Sequence, residues 1–243
     1  MSPPLRPLVS RPDATLRLLC LPYAGGGISV FRGWGELLPA DIEPWAVQLP
    51  GREDRLGHSP VVSMNEVLNE LVPAVMPRLD RPFAIFGHSM GALIGLELAR
   101  TLQRLELGSP ERLFVSGRIP PQASELPDPP LHGRADEELI EVLRAWQGTP
   151  EEVLADRELM RLMLPVVRAD LSVIETHAFT GSPVLTCPIT AFGGEQDSAA
   201  PAVLERWREL TTGEFDLRMF PGGHFFVNSA RREVVAEVSG RLA

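Results

Sequence analysis

Long apolar runs are missing from this chain. None reaches the roughly 18 residues that a membrane helix needs, so no transmembrane segment is expected. The N-terminal Met1-Ser2-Pro3-Pro4-Leu5-Arg6-Pro7 also lacks the apolar stretch of a secretory signal, and residues 1–14 read as a loose leader. Cysteine is scarce. Cys20 and Cys187 are the only 2, each in an apolar, strand-like stretch ahead of a proline. They read as buried reduced thiols rather than a disulfide or metal pair, and a cytoplasmic location is the expectation. Positive charge is also short. With 23 basic against 32 acidic residues, the net charge of −9 argues against a nucleic-acid partner, although a local basic patch can coexist with it. There is no metal-ligand cluster, no Gly-x-x-x-x-Gly-Lys phosphate loop and no internal repeat, and the 24 prolines lie mainly in connecting segments.

What is present is a chain of 243 residues, 44% of them apolar, enough for one α/β domain over residues 1–243. Leu16–Leu21 reads as a buried strand that ends in the glycine-rich Tyr23-Ala24-Gly25-Gly26-Gly27 loop. A helix over Val30–Leu38, a strand over Glu43–Leu49 and a helix over Asn65–Leu79 follow. Strand Phe83–Phe86 leads into a helix from Ala92, and Arg112–Ser116 is a further strand. From about residue 118 to 182 the alternation stops and helical patterns take over, at Asp136–Trp146, Pro150–Ala155 and Arg157–Thr176. This stretch reads as a helical lid inserted over one edge of the sheet. Strand Pro188–Phe192, helix Ala202–Thr212, strand Phe215–Phe220 and helix Phe226–Leu242 complete the chain. The alternation predicts an α/β fold with a mostly parallel central sheet and helices on both faces.

The chemistry is carried by Gly87-His88-Ser89-Met90-Gly91, a Gly-x-Ser-x-Gly sequence between a strand and a helix. In that context it is the nucleophile elbow of an α/β-hydrolase, with Ser89 as nucleophile for acyl transfer. A serine hydroxyl needs a base. His88 lies inside the elbow with its ring expected to point away from the attacking face, while His58, His132 and His177 lack a glycine frame. His224, in Phe220-Pro221-Gly222-Gly223-His224-Phe225-Phe226 after the last strand, has the position this fold gives its base. The acid is expected after a strand and between serine and histidine in the chain. Asp197 in Phe192-Gly193-Gly194-Glu195-Gln196-Asp197 fits best, with Glu195 and Asp170 as rivals. The Met90 and Ala24 amides are the candidate oxyanion donors.

With these residues in place, the chain resembles the type II thioesterases, the stand-alone editing enzymes of polyketide synthase and nonribosomal peptide synthetase systems. The resemblance is carried by Cys20–Gly26, Gln48-Leu49-Pro50-Gly51-Arg52-Glu53, Phe86–Ala92, Gly148-Thr149-Pro150-Glu151-Glu152, Arg168-Ala169-Asp170 and Phe220–Phe226. It implies hydrolysis of acyl thioesters on the phosphopantetheine arm of acyl or peptidyl carrier proteins, clearing aberrant acyl groups, with Ser89, Asp197 and His224 as the triad. Relatives that release a finished product or hydrolyse medium-chain fatty acyl thioesters are alternatives, as is a small-molecule carboxylesterase of the same fold. No cofactor is required, since the substrate brings the phosphopantetheine, and a monomer is expected. Tyr23, Leu139, Leu143, Trp146 and Met163 are candidate contacts to the acyl chain. Arg32, Arg52 and Arg118 are candidates for a local positive face toward an acidic carrier protein. Three departures stand out: Gln147 where relatives usually carry a glycine, His177 where they carry an aromatic, and the unusual Ser198-Ala199-Ala200-Pro201.

Overall fold

The computed structural model describes residues 2–243. In chain order the elements are β1 (Leu5–Pro7), β2 (Leu16–Leu21), α1 (Trp34–Leu37), β3 (Ile42–Val47), α2 (Met64–Val75), β4 (Phe83–His88), α3 (Met90–Arg104) and β5 (Leu113–Ser116). Then come α4 (Asp136–Trp146), α5 (Glu151–Leu154), α6 (Arg157–Glu175), β6 (Ile189–Gly194), α7 (Pro201–Leu204), β7 (Phe215–Phe220), α8 (Phe226–Ser229) and α9 (Arg231–Gly240). The strands form one 7-stranded sheet in the order β1-β3-β2-β4-β5-β6-β7. Every neighbouring pair is parallel except β1 with β3.

Both faces of the sheet are covered, so the central strands are apolar at successive positions rather than alternately. In β2, Leu19 and Leu21 face a core shared with α2 and α3, while Leu18 and Cys20 face a second core with Trp34 of α1 and Val234 of α9. α2 begins at Ser63, whose side chain accepts the Glu66 N–H, and presents Val67, Leu71 and Val75 at helical spacing to the first core. Cys20 and Cys187 are free and buried, and burial pushes both thiols up, Cys187 to about 11.

The expected loose leader is corrected. Residues 5–7 add an antiparallel edge strand, Leu5 is buried in the first core, and the Arg11 guanidinium donates to the Ile42 and Leu38 carbonyls at 2.7 and 3.1 Å. A proline-rich segment can occupy a sheet edge because the edge demands few donors. Met1 lies outside the described residues. The expected helix over Val30–Leu38 is split at Gly33, which takes a φ of +83°, into a short 3-10 turn and α1. The expected C-terminal helix is likewise interrupted at Ala230, leaving α8 and α9.

Between β5 and β6 run α4, α5 and α6. They build their own apolar cluster from Leu139, Leu143, Leu154, Met160, Leu164 and Leu171. α6 starts on Asp156, whose carboxylate accepts the Glu158 and Leu159 amides. Its far end is tied down by Glu175, which accepts the Leu131 and His132 amides at 3.0 Å each.

Candidate active site

Ser89 occupies the turn between β4 and α3 with φ 53° and ψ −111°, a conformation that an L-residue adopts only when its surroundings enforce it. The enforcement is steric and hydrogen-bonded. A Cβ on Gly87 would stand 2.1 Å from the Gly91 carbonyl oxygen, and one on Gly91 would stand 2.1 Å from that of Leu21. Only glycine at both positions lets the helix start so close to the strand ends. The Ser89 N–H donates to the Ser116 carbonyl at 2.7 Å, holding the turn against β5.

The loops after β6 and β7 bring the partners in. His224 Nε2 lies 3.1 Å from Ser89 Oγ, and His224 Nδ1 lies 2.9 Å from Asp197 Oδ2. An ionised carboxylate only accepts, so Nδ1–H donates to Asp197 and Nε2 is left to accept from the serine hydroxyl. Burial alone would raise the Asp197 carboxyl, but the hydrogen bonds it accepts from His224 and from the Ser198 N–H outweigh it and hold it below its ordinary value. The rivals are elsewhere. Glu195 is exposed, and Asp170 is ion-paired to Arg52 at 2.6 Å.

His88 is fully buried beneath this array. Its Nε2–H donates to the His224 carbonyl at 2.9 Å, so its Nδ1 accepts the Ser116 hydroxyl at 2.8 Å. Burial pushes its pKa down to about 3. The ring therefore stays neutral and braces the backbone of His224.

Met90 follows Ser89 directly in the chain, and Ala24 lines the same cavity as Ser89. Met90 is the first residue of α3, where the amide has no partner within the helix, and the Ala24 N–H finds no acceptor among the described residues. Two cavities flank this point. One, of about 510 Å³, is lined by Ser89, His224, Tyr23, Trp146 and Arg118. The other, of about 530 Å³, is lined by Tyr23, Leu143, Trp146, Met163 and Phe225. Tyr23 packs edge-on against Phe225, with ring centroids 5.0 Å apart, where the two spaces meet.

Several residues sit differently from expectation. Leu139 lines neither cavity. It is wholly buried inside the apolar cluster of the insertion, because the helical stripe that carries it faces α6 rather than the sheet. Arg52 is no part of a positive surface, being buried in its ion pair with Asp170. Arg118 turns into the first cavity with its Nε unpartnered, and burial draws it down to about 10. Arg32 alone of the three is exposed. His177 stands 3.4 Å from Glu97 of α3, away from both cavities. Gln147 ends α4 in the left-handed region at φ 58°, which explains why a glycine suits that position. Phe225 and Gln196 line the cavities without having been singled out, although they neighbour His224 and Asp197 in sequence.

Comparison with known proteins places the chain in a family. A family model described as a thioesterase domain matches residues 16–242. The gramicidin S biosynthesis protein GrsT of Aneurinibacillus migulanus is 44% identical over 223 residues, covering 91% of this chain and 87% of that one. The type II thioesterase BorB from the borrelidin biosynthetic cluster superposes with a TM-score of 0.89 at 36% identity, covering 98% of this chain and 97% of that one. YbtT, a type II thioesterase from the yersiniabactin NRPS/PKS biosynthetic pathway, does so with a TM-score of 0.87 at 28% identity, covering 98% and 97%. The protein therefore belongs to the thioesterase family, and its sequence and α/β-hydrolase fold set it beside the type II thioesterases.

Proposed function

We propose that this thioesterase hydrolyses acyl groups from the phosphopantetheine arm of acyl or peptidyl carrier proteins, with Ser89 as nucleophile, His224 as base and Asp197 as its orienting acid. The observation that carries the assignment is the continuous hydrogen-bonded line from Asp197 through His224 to Ser89, opening on the cavity of about 510 Å³. His224 Nε2 takes the hydroxyl proton as Ser89 Oγ attacks the thioester carbonyl carbon. The carbonyl oxygen becomes an oxyanion and turns toward the Met90 and Ala24 amides. The C–S bond breaks, and the pantetheine thiol leaves with the proton that His224 carries. Water then gives a proton to His224 and attacks the acyl-serine, and the free acid departs as Oγ recovers its proton.

The helices between β5 and β6 act as the lid in this reading. Tyr23, Leu143, Trp146 and Met163, which border the cavities, supply the walls for the acyl chain and the pantetheine arm. The relatives give the biological setting: GrsT is named for gramicidin S biosynthesis, and YbtT for an NRPS/PKS pathway. Removal of stalled or aberrant acyl groups from such an assembly line is the task proposed here.

The test is hydrolysis of a panel of acyl groups loaded on one carrier protein, by wild type and Ser89→Ala. Broad turnover of short acyl groups that disappears in Ser89→Ala is the expected result. Turnover retained in Ser89→Ala refutes the mechanism. A narrow preference for one elaborated long chain refutes the editing role in favour of product release, and faster cleavage of oxygen esters than of acyl-pantetheine refutes the thioester assignment.

A further inference from the structure

We propose that the Gln48–Glu53 segment and Asp170 of α6 form a clamp on the glycine loop after β2, and that Asp170 is a positioning residue for the oxyanion donor at Ala24. The inference rests on the reading of the Ala24 amide given above and adds to it what holds that amide in place.

The loop is rich in glycine, so its backbone has wide freedom unless something removes it. Beyond the loop's own backbone turns, the polar groups that remove it come from the Gln48–Glu53 segment and from Asp170. Gln48 Oε1 accepts the Ile28 N–H at 2.8 Å. Glu53 Oε1 accepts the Ser29 N–H at 3.2 Å and the Ser29 hydroxyl at 2.7 Å. Arg52 Nη1 donates to the Gly26 carbonyl at 3.1 Å. A Cβ on Gly27 would stand 2.4 Å from Glu53 Oε1 and 2.9 Å from Gln48 Oε1, so a glycine is what lets these side chains close on the loop.

Asp170 completes the clamp from the other side. Its Oδ2 accepts the Gly25 N–H at 2.7 Å and Arg52 Nη1 at 2.6 Å, while its Oδ1 accepts Arg52 Nη2 at 2.7 Å. The carboxylate is fully buried and Arg52 nearly so, which makes these charge-assisted bonds strong and directional. The Gly25 N–H belongs to the peptide plane that begins at the Ala24 carbonyl. Fixing it sets the ψ of Ala24, and the Gly26 N–H to Tyr23 carbonyl bond at 2.9 Å closes the turn from the other end. The Ala24 N–H between them is left without an acceptor and held in one direction. A donor held in advance at the developing charge is what an oxyanion site requires. Because Asp170 sits on α6, the same contact ties the lid helix to the catalytic loop.

The test compares wild type with Asp170→Asn and with the double variant Arg52→Met/Asp170→Leu. The double variant leaves no lone buried charge and so carries the test if the single one fails to fold. Acetyl-, hexanoyl- and decanoyl-loaded carrier protein serve as substrates, and an acyl trifluoromethyl ketone as an oxyanion-forming inhibitor. The expected result is a fall in kcat of about tenfold to a hundredfold, equal for all acyl lengths, with KM unchanged and the inhibition constant of the ketone rising in parallel. A loss that grows with chain length and falls on KM would mean that Asp170 merely anchors the lid, and overturns the proposal. Full activity in either folded variant overturns it too. In the same assay, an active Ser89→Ala would sink the reading of the site itself, whereas an inactive Ser89→Ala beside a fully active Asp170→Asn sinks only the clamp.

Discussion

Replacement of Asp197 by asparagine tests the proposed triad with almost no change in shape. Asp197 Oδ1 accepts the Ser198 N–H at 2.7 Å, and Oδ2 accepts His224 Nδ1–H at 2.9 Å. An asparagine must keep its oxygen on the Ser198 amide, since its NH₂ cannot accept there. The NH₂ then faces His224 and donates to Nδ1. The ring is driven into the tautomer with its proton on Nε2, which points a donor at Ser89 Oγ where an acceptor is needed. The hydroxyl proton has nowhere to go, and the imidazolium that forms during attack loses its counter-charge. The expected fall in kcat is about 10⁴-fold, or about 5 kcal/mol of barrier. Release of free thiol from an acyl-pantetheine substrate, followed with a thiol-reactive dye, reads it directly. The parallel variant Glu195→Gln, on an exposed side chain beyond the hydrogen-bonded line, is expected to stay within about twofold of wild type. An Asp197→Asn enzyme within tenfold of wild type, or a Glu195→Gln enzyme that loses the activity instead, would refute the assignment.

Leu139→Ala should cost about 2–5 kcal/mol of stability, read as a lower denaturation midpoint, and leave the order of acyl-chain preference unchanged, because the side chain is wholly enclosed in the lid cluster. Trp146→Ala should do the reverse: the indole is 38% exposed and borders both cavities, so kcat/KM across a series of chain lengths should be redistributed with little change in stability. Gln147→Gly relieves a left-handed residue at the end of α4 and should stabilise by up to about 1 kcal/mol in denaturant unfolding. His88 stays neutral when folded down to about pH 3, whereas the unfolded ring takes up a proton below about 6.5, so stability should fall as the pH drops through that window. The slope from this one group approaches about 1.4 kcal/mol per pH unit. Denaturation midpoints measured against pH should show that slope in wild type and a shallower one in His88→Gln.

The features that were legible in the sequence are those whose cause is local. The elbow is one: Gly87 and Gly91 are fixed by contacts that any residue with a Cβ would break, so the spacing itself carries the geometry. His224 and Asp197 are others, because a parallel sheet delivers the loops after β6 and β7 to the same edge as the loop after β4. The helical segments over Asp136–Trp146 and Arg157–Glu175 were equally plain from their periodicity. Periodicity says that a helix has an apolar face but not what covers it, and Leu139 turned out to face its own neighbours rather than substrate.

Arg52 and Asp170 mark the other limit. They lie 118 positions apart, and each alone suggested a different role, an exposed arginine for a carrier protein and a rival acid for the triad. Both suggestions fail for one reason. A charged side chain can be buried here only against its opposite, and each satisfies the other where water is excluded. The two sequence segments that hold them, Gln48–Glu53 and Arg168–Asp170, are both among those that carry the family resemblance. Their shared contact is the glycine loop, through Gly26 for Arg52 and Gly25 for Asp170. That contact gives the two segments one physical reason to occur together in a chain whose proposed chemistry depends on the amide of Ala24.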